Sequence, residues 1–376
     1  MQKVIAISYS DVGKSWGPAI HFLEVWNAIY NKEIFCVEAF ACCDKERPYV
    51  DSPCIKKLFK TGNSSLGRVT SKILFDIYLF IYLLRIQRTV VYIRWAQYCI
   101  LTAYACKIKK HFVVYELNGL NREDCKSAGS SIFRRLHYYA AEYACFHGGN
   151  ARIVAVSKAI EASVVSEHSV ASSITISNGC KSTLNSMAKT SVNQNCFVLA
   201  YVGTFTSWDG HLLLPKVASA FRELQIPIQV KLAGPGFERS RIYDESTALG
   251  CFSYMGNVEY SRLDEFYSSS DAGVALYEYE RHKTVEISSL KLLEYRACRL
   301  PILTTAVPGT EFVDENAIGL RLTPQELNDP QLLKNRLGEF YSKRSSYEKA
   351  YERCAPARTW DDVAQDTIGY ISSILA

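Results

Sequence analysis

The stretch YEYERHKTVEISSLKLLEYRACRLPILTTAVP, residues 277–308, is the part of the chain that decides its fold. Ser288 and Ser289 are residues that favour a helix N-cap, and the apolar positions after them recur at helical spacing. The pattern predicts a helix from about Ser289 to Arg299 and a β-strand over 301–307. The unit is therefore a loop, a helix N-terminus, a helix and a strand.

Two carboxylates flank the predicted helix N-terminus. Glu286 precedes it, and Glu294 lies on the helix one turn beyond Leu290. A helix N-terminus offers unpaired backbone N–H groups and a partial positive charge, which suit a phosphate. The two groups attached to a diphosphate bound there would each have one of the two carboxylates on their side. Glu294 could accept two hydrogen bonds from a ribose diol. The alternative is that Glu294 pairs with Lys291 across one turn and that Glu286 is a solvated loop acid.

The run EISSLKLLEYRACRLPILTT resembles the E-x7-E signature of glycosyltransferase family 4, whose pattern continues S-x-K-x-x-E-x-x-A-x-G-x-P-V before a β-strand. The segments YVG, LAGPG, YMGNV and SSDAGVALY follow the family in order and spacing. In the first half of the chain, VVYIRW and ITISNG resemble family segments as well. The resemblance extends along most of the chain. It implies a retaining transferase of the GT-B fold that uses a nucleotide-diphosphate sugar.

The resemblance also implies roles for individual residues. Glu286 would face the sugar and steady the positive charge of the transition state, and Glu294 would bind the ribose. The backbone of Val258 would hold the base. Backbone N–H groups at the helix N-terminus would bind the diphosphate, namely those of Ser288, Ser289 and Leu290. The other expected donor-binding residues are Gly17, Asn118, Gly203, Thr204, Gly234 and Lys291.

Several positions depart from the family pattern. Asn118 stands where many members have a histidine that reaches the donor sugar, so it could hydrogen-bond a hydroxyl but could not shuttle a proton. Gly17 is what remains of a glycine pair in the first loop. Thr204 and Asp209 stand where the family has cations that face the leaving diphosphate.

The missing cations raise the question of what stabilises the leaving group, because charge that develops on a diphosphate must be stabilised. The nearby candidates are Arg281, Lys283 and Lys291. We predict that Lys283 has this role and is catalytic together with Glu286.

Strand and helix patterns alternate along residues 1–180 and restart at residue 197. Each half therefore predicts a parallel, doubly wound α/β sheet. We expect two Rossmann-like domains that face an interdomain cleft, the GT-B architecture, with ligands at the carboxyl ends of the strands. The predicted domains are an acceptor-side domain of residues 1–185, on which the C-terminal helix 360–376 packs, and a nucleotide-sugar-binding domain of residues 195–358.

The composition of the 376-residue chain suits two folded domains, because 48% of its residues are hydrophobic. Its 13 cysteines lack the CxxC spacing of metal knuckles. Their odd number and the absence of a signal-peptide pattern predict reduced thiols and a cytoplasmic protein. Since no Asp-x-Asp motif stands in a plausible place, we expect neither a metal ion nor another cofactor.

The net charge of +5 is unevenly distributed, because residues 45–110 carry a local charge of +10. Residues 44–70 read as a polar, basic loop. The window Ile73–Ile86 is interrupted by Asp76 and Arg85, which makes it too short and too charged to span a membrane. We expect a core or interfacial helix that contacts the inner face of a membrane beside the basic side chains. The alternative is a buried helix with solvated flanks, and no nucleic-acid motif matches this region.

These patterns predict a retaining glycosyltransferase whose hydroxyl acceptor is a lipid-linked glycan or polysaccharide precursor at the membrane surface. Two other functions fit the same motifs. A GT-B sugar-nucleotide epimerase would share the fold and the donor site, and would change the sugar nucleotide without an acceptor. A non-catalytic, nucleotide-sugar-binding partner subunit would account for Asn118 and for the missing cations.

Overall fold

The computed structural model describes residues 1–14, 16–62, 64–119, 132–186, 196–205, 210–237, 242–283 and 286–376. The chain divides into two compact units. The first is Met1–Gly179 with Trp360–Ala376, and the second is Cys180–Thr359. Each unit contains one parallel sheet with helices between its strands, which confirms the predicted α/β class with two doubly wound sheets.

The sheet of the first unit has seven parallel strands in the order β3-β2-β1-β4-β5-β6-β7. The strands are β1 Lys3–Asp11, β2 Cys36–Cys43, β3 Ile55–Lys60, β4 Val90–Arg94, β5 Phe112–Leu117, β6 Arg152–Ala155 and β7 Ser172–Thr175. The helices are α1 Gly17–Asn31, α2 Ser65–Arg85, α3 Ile100–Lys109, α4 Ile132–Phe146, α5 Lys158–Glu167 and, at the C-terminus, α15 Trp360–Leu375. Helix α15 packs on α1. The strand order reverses between β1 and β4, which is the switch point of a doubly wound sheet.

Strand β3 falls within residues 44–70, for which the sequence predicted a polar, basic loop. That prediction is wrong for Ile55–Lys60, which pairs in parallel with β2 at the edge of the sheet. Three of its six residues are lysines. Lysines are common on edge strands because they oppose pairing with another sheet. The same lysines make this strand resemble a polar loop in the sequence.

Helix α2 has one buried face and one exposed apolar face. Phe75, Leu79 and Leu83 recur at a spacing of four residues and are buried in the core. On the opposite face, six apolar side chains are exposed by 39% to 77%: Leu66, Val69, Ile73, Leu74, Ile77 and Ile81. A helix whose solvent-facing side is apolar departs from the usual pattern, in which that side is polar. No helix among the described residues combines the length and the apolar composition that crossing a membrane requires.

The sheet of the second unit has six parallel strands in the order β10-β9-β8-β11-β12-β13. The strands are β8 Phe197–Val202, β9 Ile228–Ala233, β10 Phe252–Tyr254, β11 Ala272–Ala275, β12 Ile302–Thr305 and β13 Gly319–Leu322. The helices are α6 Leu214–Glu223, α7 Tyr243–Leu249, α8 Leu263–Ser268, α9 Tyr279–His282, α10 Leu290–Ala297, α11 Phe312–Glu315, α12 Pro324–Asn328, α13 Pro330–Ser342 and α14 Arg344–Ala350. The switch point of this sheet lies between β8 and β11.

A glycine in β11 lets helix α10 pack closely on the sheet. A Cβ atom added to Gly273 would lie 2.3 Å from a ring carbon of Tyr295, which is fully buried. Real Cβ contacts are never this short, so a larger residue would push α10 away from β11 or move the ring. The distance between the sheet and α10 is therefore set at this position.

We expect Gly273→Ala to lower the free energy of unfolding of the second unit by about 1–3 kcal/mol, because the added methyl overpacks the contact with Tyr295. The control is Gly338→Ala in α13, where an added Cβ would lie 3.7 Å from the methyl groups of Leu224, an ordinary contact. Because alanine favours a helix interior, that variant should gain up to about 1 kcal/mol. Urea unfolding followed by circular dichroism measures both changes, and equal values would contradict the close packing at Gly273.

Candidate functional site

The E-x7-E helix α10 lies at the switch point of the second sheet. The hydroxyl of Tyr295 lies 3.0 Å from the carbonyl oxygen of Ala200 in β8 and 3.2 Å from that of Val274 in β11. The backbone N–H of Val202 donates to the same hydroxyl at 3.3 Å. Helix α10 is thereby fixed to both strands at the point where open α/β sheets bind ligands.

The glycine loops after β8 and β9 meet at the same edge of the sheet. Gly234 has a φ of +122°, and an added Cβ would lie 1.9 Å from the carbonyl oxygen of Gly203. The N–H of Gly203 donates to the carbonyl of Ala233 at 3.0 Å. A Cβ on Gly236 would lie 3.2 Å from the carbonyl oxygen of Thr204. Main chain therefore packs against main chain here, an approach that a side chain on Gly234 would prevent.

Two further predicted donor-binding residues are Val258, in the second unit, and Gly17, in the first. Val258 follows Gly256, whose carbonyl accepts a hydrogen bond from the N–H of Gly234 at 2.9 Å, so its loop adjoins the glycine loop of β9. Gly17 belongs to the first unit, where it is the first residue of α1.

The segment of residues 286–289 leads into α10 beside Gly309. The N–H of Ile287 donates to the carbonyl of Pro308 at 3.0 Å, and a Cβ on Gly309 would lie 2.3 Å from the carbonyl oxygen of Ile287. Ser289 occupies the N-cap position with extended backbone, but its side chain makes no capping hydrogen bond. The Ser289 side chain therefore does not cap the N–H groups of the first turn. The helix begins where the sequence predicts and ends two residues early, at Ala297.

Glu294 is buried in this helix, with 4% of its surface exposed. The hydroxyl of Tyr267 donates to its Oε2 atom at 2.5 Å. Burial raises the pKa of Glu294, and the opposing effects of this hydrogen bond and of the charges on Lys181 and Lys291 do not cancel the rise. A carboxyl group that holds one donor on one oxygen keeps acceptor capacity on the other.

Lys291 lies in the first turn of α10, with its amino group over two aromatic rings. The Nζ atom is 4.8 Å from the ring centroid of Tyr201 in β8 and 5.5 Å from that of Tyr277, which follows β11. These cation–π contacts hold a positive charge at the carboxyl ends of both switch-point strands. The charge adds to the positive end of the helix dipole, so both effects favour an anion at this point.

Lys283, the cation predicted to face a leaving diphosphate, is paired with an acid. Its Nζ atom lies 2.6 Å from Oε2 of Glu280, and both side chains are largely exposed. The hydrogen bond to Glu280 raises the pKa of Lys283. Asp209, one of the two positions where the family has a cation, lies outside the described residues. Among the described residues, Lys291 is a cation that lies in the first turn of α10 itself.

In the first unit, Asn118 belongs to a buried charge network. Arg94 of β4 is in register with Glu116 of β5, and their side chains form an ion pair. Nε2 of His21 lies 3.3 Å from the same carboxylate, and its Nδ1 lies 2.6 Å from Oδ1 of Asn178. Burial alone would raise the pKa of Glu116, but His21 and Arg94 hold it far below its ordinary value. Glu116 is therefore a carboxylate at neutral pH.

The charge on Glu116 fixes the orientation of the Asn118 amide. The Nδ2 atom of Asn118 donates to Oε1 of Glu116 at 2.6 Å. An ionised carboxylate only accepts hydrogen bonds, so the amide nitrogen must face it and the amide oxygen must face away. The side chain is exposed at the carboxyl end of β5. Asn118 therefore offers an acceptor, suited to a hydroxyl donor.

Sequence reasoning missed the residues that hold these groups in place. One signal was available for the first unit, because β4 and β5 are apolar strands that end in opposite charges, Arg94 and Glu116. The supporting tyrosines gave no such signal, since a tyrosine within an apolar run reads as an ordinary core residue. These tyrosines are Tyr201, Tyr267, Tyr277 and Tyr295.

One group of possible metal ligands occurs among the described residues, at the carboxyl ends of β1 and β2. Atoms of Asp11, Cys43 and Asp44 lie within 4.8 Å of one another. The amino group of Lys14 lies 3.2 Å from the carboxylate of Asp11 and 3.5 Å from that of Asp44, so it offsets half of the charge of this acidic pair. Metal independence of the protein stays a prediction.

Residues 183–356 match the family model described as "Glycosyl transferases group 1". The chain carries a glycosyltransferase domain. The matched residues lie within the second unit and include all six of its strands, together with α10 and the glycine loops. The predicted enzyme class, a glycosyltransferase, is confirmed.

Solved structures share the fold of the whole chain. Sucrose-phosphate synthase from Thermosynechococcus elongatus has a TM-score of 0.74 and 16% identity, over 100% of this chain and 99% of that one. WaaG, a glycosyltransferase involved in lipopolysaccharide biosynthesis, has a TM-score of 0.72 and 13% identity, over 98% of this chain and 99% of that one. HepE from Anabaena, solved in complex with UDP-glucose, has a TM-score of 0.69 and 17% identity, over 99% of this chain and 100% of that one. These similarities confirm the GT-B fold, and no curated protein sequence matches the chain.

We expect Glu294→Gln to stabilise the second unit at neutral pH. Because the pKa of Glu294 is raised above its ordinary value of 4.5, the folded state holds this proton more tightly than the unfolded chain. Stability is therefore lost as the pH rises from the unfolded pKa through the folded one. Glutamine can still accept the hydrogen bond from Tyr267 and has no charge to bury.

The measurement is the free energy of unfolding of both proteins at about pH 4 and about pH 7, where each unit of pKa shift contributes about 1.4 kcal/mol. The advantage of the variant over the parent should grow between the two values. Glu315→Gln, which replaces an exposed carboxylate of the same unit, is the control. An advantage that is the same at both pH values would show that burial does not raise the pKa of Glu294.

Proposed function

We propose that the protein is a retaining glycosyltransferase of the family 4 type that moves a sugar from a nucleotide-diphosphate sugar to a hydroxyl acceptor. The observation that carries this proposal is the position of α10 at the switch point, with Lys291 in its first turn and Glu294 buried one turn later. The family match over the same residues supports it. A sugar nucleotide as donor is supported by the complex of HepE, which has the same fold, with UDP-glucose.

Donor binding would use main chain and two side chains of α10. Backbone N–H groups at Ser288, Ser289 and Leu290 would bind the diphosphate together with the ammonium of Lys291. One turn further, the free oxygen of Glu294 would accept hydrogen bonds from the ribose. In the neighbouring loops, the base would contact the backbone of Val258. The close main-chain packing of Gly203 and Gly234 would leave room for the phosphates.

Catalysis would rest on opposite charges at the two ends of the breaking bond. As the sugar departs from the diphosphate, positive charge grows on the sugar ring and negative charge grows on the leaving oxygen. Glu286 would stabilise the positive charge on the sugar. The helix N-terminus, Lys291 and Lys283 would stabilise the negative charge on the leaving oxygen. Asn118 would accept a hydrogen bond from a substrate hydroxyl through its amide oxygen. The proposal needs no metal ion.

Time-resolved proton NMR on the purified protein with a panel of UDP-, GDP- and ADP-sugars tests the donor and the stereochemistry. One α-linked donor should be hydrolysed slowly, with the α anomer of the sugar released first. Glu294→Ala should lower kcat/KM at least tenfold, because two hydrogen bonds to a charged acceptor contribute about 1.5–3 kcal/mol each. Glu315→Ala, at an exposed position of the same unit, should leave the rate unchanged.

Other outcomes would overturn specific parts of the proposal. Release of the β anomer first would exclude retention. A changed sugar nucleotide without an acceptor would favour the epimerase, and saturation-transfer contact without turnover would favour a binding subunit. Contact with no donor would reject the donor site itself. Unchanged turnover in Lys283→Ala would remove Lys283 from catalysis and leave Lys291 as the relevant cation.

We also propose that the acceptor is a lipid-linked glycan or polysaccharide precursor and that the protein works on the inner face of a membrane. The exposed apolar face of α2 supports this, because such a face is stable against an apolar phase. Helix α3 packs on α2 and exposes Tyr104 and Ile108. Helix α4 packs on α3 and exposes Leu136 and Tyr143 at the spacing of one helix face. The net charge of +10 over residues 45–110 would add attraction to anionic lipids.

Vesicle sedimentation tests this surface. Ile73→Ser/Ile77→Ser should lower partitioning to phosphatidylcholine–phosphatidylglycerol vesicles more than tenfold, because full burial of each isoleucine contributes about 1.5–3 kcal/mol. The control is Val165→Ser/Leu212→Ser, which replaces two exposed apolar side chains elsewhere in the chain. Equal partitioning of parent and test variant would reject α2 as the membrane contact.

A further inference from the structure

A cationic pocket opens in the first unit at the amino ends of the strands, whereas Asn118 lies at their carboxyl ends. It lies where strands β4, β5 and β6 begin and where helices α3 and α4 end, and its volume is about 420 Å³. Its lining contains two arginines, two lysines and two histidines: Arg88, Arg152, Lys107, Lys110, His111 and His147. Arg88, Lys107 and Lys110 belong to the basic region of residues 45–110, whereas His111, His147 and Arg152 lie outside it.

Among the described residues that line the pocket, none is a carboxylate. The guanidinium of Arg88 lies 4.1 Å from the ring centroid of Phe112, and that of Arg152 lies 5.2 Å from the same ring. Arg152 also donates to the carbonyl of Asn150 at 3.3 Å. Two positive charges therefore lie beside one neutral ring, and an anion in the pocket would offset the repulsion between them.

The histidine at the floor of the pocket does not supply charge. Nδ1 of His111 accepts a hydrogen bond from the N–H of Thr89 at 3.1 Å, so its Nε2, 3.1 Å from the carbonyl of Leu83, carries the proton. Burial lowers the pKa of His111, which also favours the neutral ring. The positive charge of the pocket therefore rests on its two arginines and two lysines.

The helix dipole accounts for only part of this charge. Lys107 and Lys110 lie at the C-terminal end of α3, where cations are favoured in any helix. Arg88 precedes β4, and Arg152 is the first residue of β6. Arg88 lies beyond the last turn of α2, which ends at Arg85, and Arg152 lies in a strand, so a helix dipole does not explain why both reach the same cavity.

We propose that this pocket binds a phosphate-bearing anion. Guanidinium groups bind phosphate with two parallel hydrogen bonds, which makes arginine the residue suited to such a site. The volume of about 420 Å³ admits a phosphate or diphosphate with a small substituent. The pocket borders exposed apolar side chains, because Ile108 follows Lys107 and the ring of Tyr143 stacks on His147 at 4.2 Å. A lipid headgroup and a free phosphate compound share the required chemistry, and the proposal does not depend on the donor site.

Amide hydrogen exchange on the full chain tests the pocket, with inorganic pyrophosphate as the soluble probe. In the parent protein, pyrophosphate should slow exchange in residues 106–113 and 147–153. The variant Arg88→Gln/Arg152→Gln should need at least tenfold more pyrophosphate for the same protection. Lys32→Gln/Lys158→Gln removes the same charge from exposed positions of the first unit and should behave as the parent does. Pyrophosphate bound at the proposed donor site would protect residues of the second unit and is thereby distinguished.

Vesicles identify the source of the anion. Phosphatidylcholine vesicles with phosphatidylglycerol are compared with phosphatidylcholine vesicles alone. Protection of the same residues by the anionic vesicles, lost in Arg88→Gln/Arg152→Gln, would support a lipid headgroup. Protection by pyrophosphate alone would support a free phosphate compound. If neither probe protects these residues, or if the variant is protected as strongly as the parent, the proposal is wrong.

Discussion

The hydroxyl of Tyr295 is the contact on which the site in the second unit depends. It lies within hydrogen-bond distance of main-chain groups in both β8 and β11, and the ring covers Gly273. Helix α10 cannot move along the sheet without leaving these buried groups unpaired, which costs about 1–3 kcal/mol for each. The same helix carries Lys291 and Glu294 on successive turns. The main-chain N–H groups and the two side chains of the site all belong to α10, so they are positioned only as accurately as that helix. Tyr295, which fixes the helix on the sheet, therefore fixes their positions as well.

In the first unit, a buried charge rather than a hydroxyl fixes the orientation of a predicted site residue. Glu116 is buried beside Arg94 and His21, and removal of Arg94 would leave its carboxylate in the core without the cation that it pairs with. This charge has a consequence at the surface, since it turns the amide oxygen of Asn118 outward. A residue that cannot shuttle a proton still presents a defined acceptor. Aspartate would not replace it, because a second carboxylate 2.6 Å from Glu116 would be repelled.

The parts that could be predicted from sequence rest on local signals. Helix α10 was predicted because serine at the N-cap and apolar residues at helical spacing act within a few positions. The pair Glu286 and Glu294 was found because its spacing is a motif. Strand β3 was not predicted, because its lysines respond to an edge position that only the assembled sheet creates. Tyr267 and Tyr295 were missed for the same reason, since each acts through a contact at least 21 residues away in sequence.

The cations of the chain follow a pattern that the motif does not predict. The sequence has no cation at Thr204 or Asp209, where the resemblance to family 4 implies one, and Lys291 lies over two tyrosine rings at the N-terminus of α10. Four other cations gather in the pocket of the first unit, at the start of β5. Asn118 lies beyond the other end of that strand, and six residues of β-strand span about 20 Å. This distance is more than twice the screening length of about 8 Å for exposed charges, and an anion in the pocket would not contact Asn118. The pocket could therefore hold the protein on an anionic surface, or bind a phosphate compound, without competing with chemistry at the carboxyl edge of the same sheet.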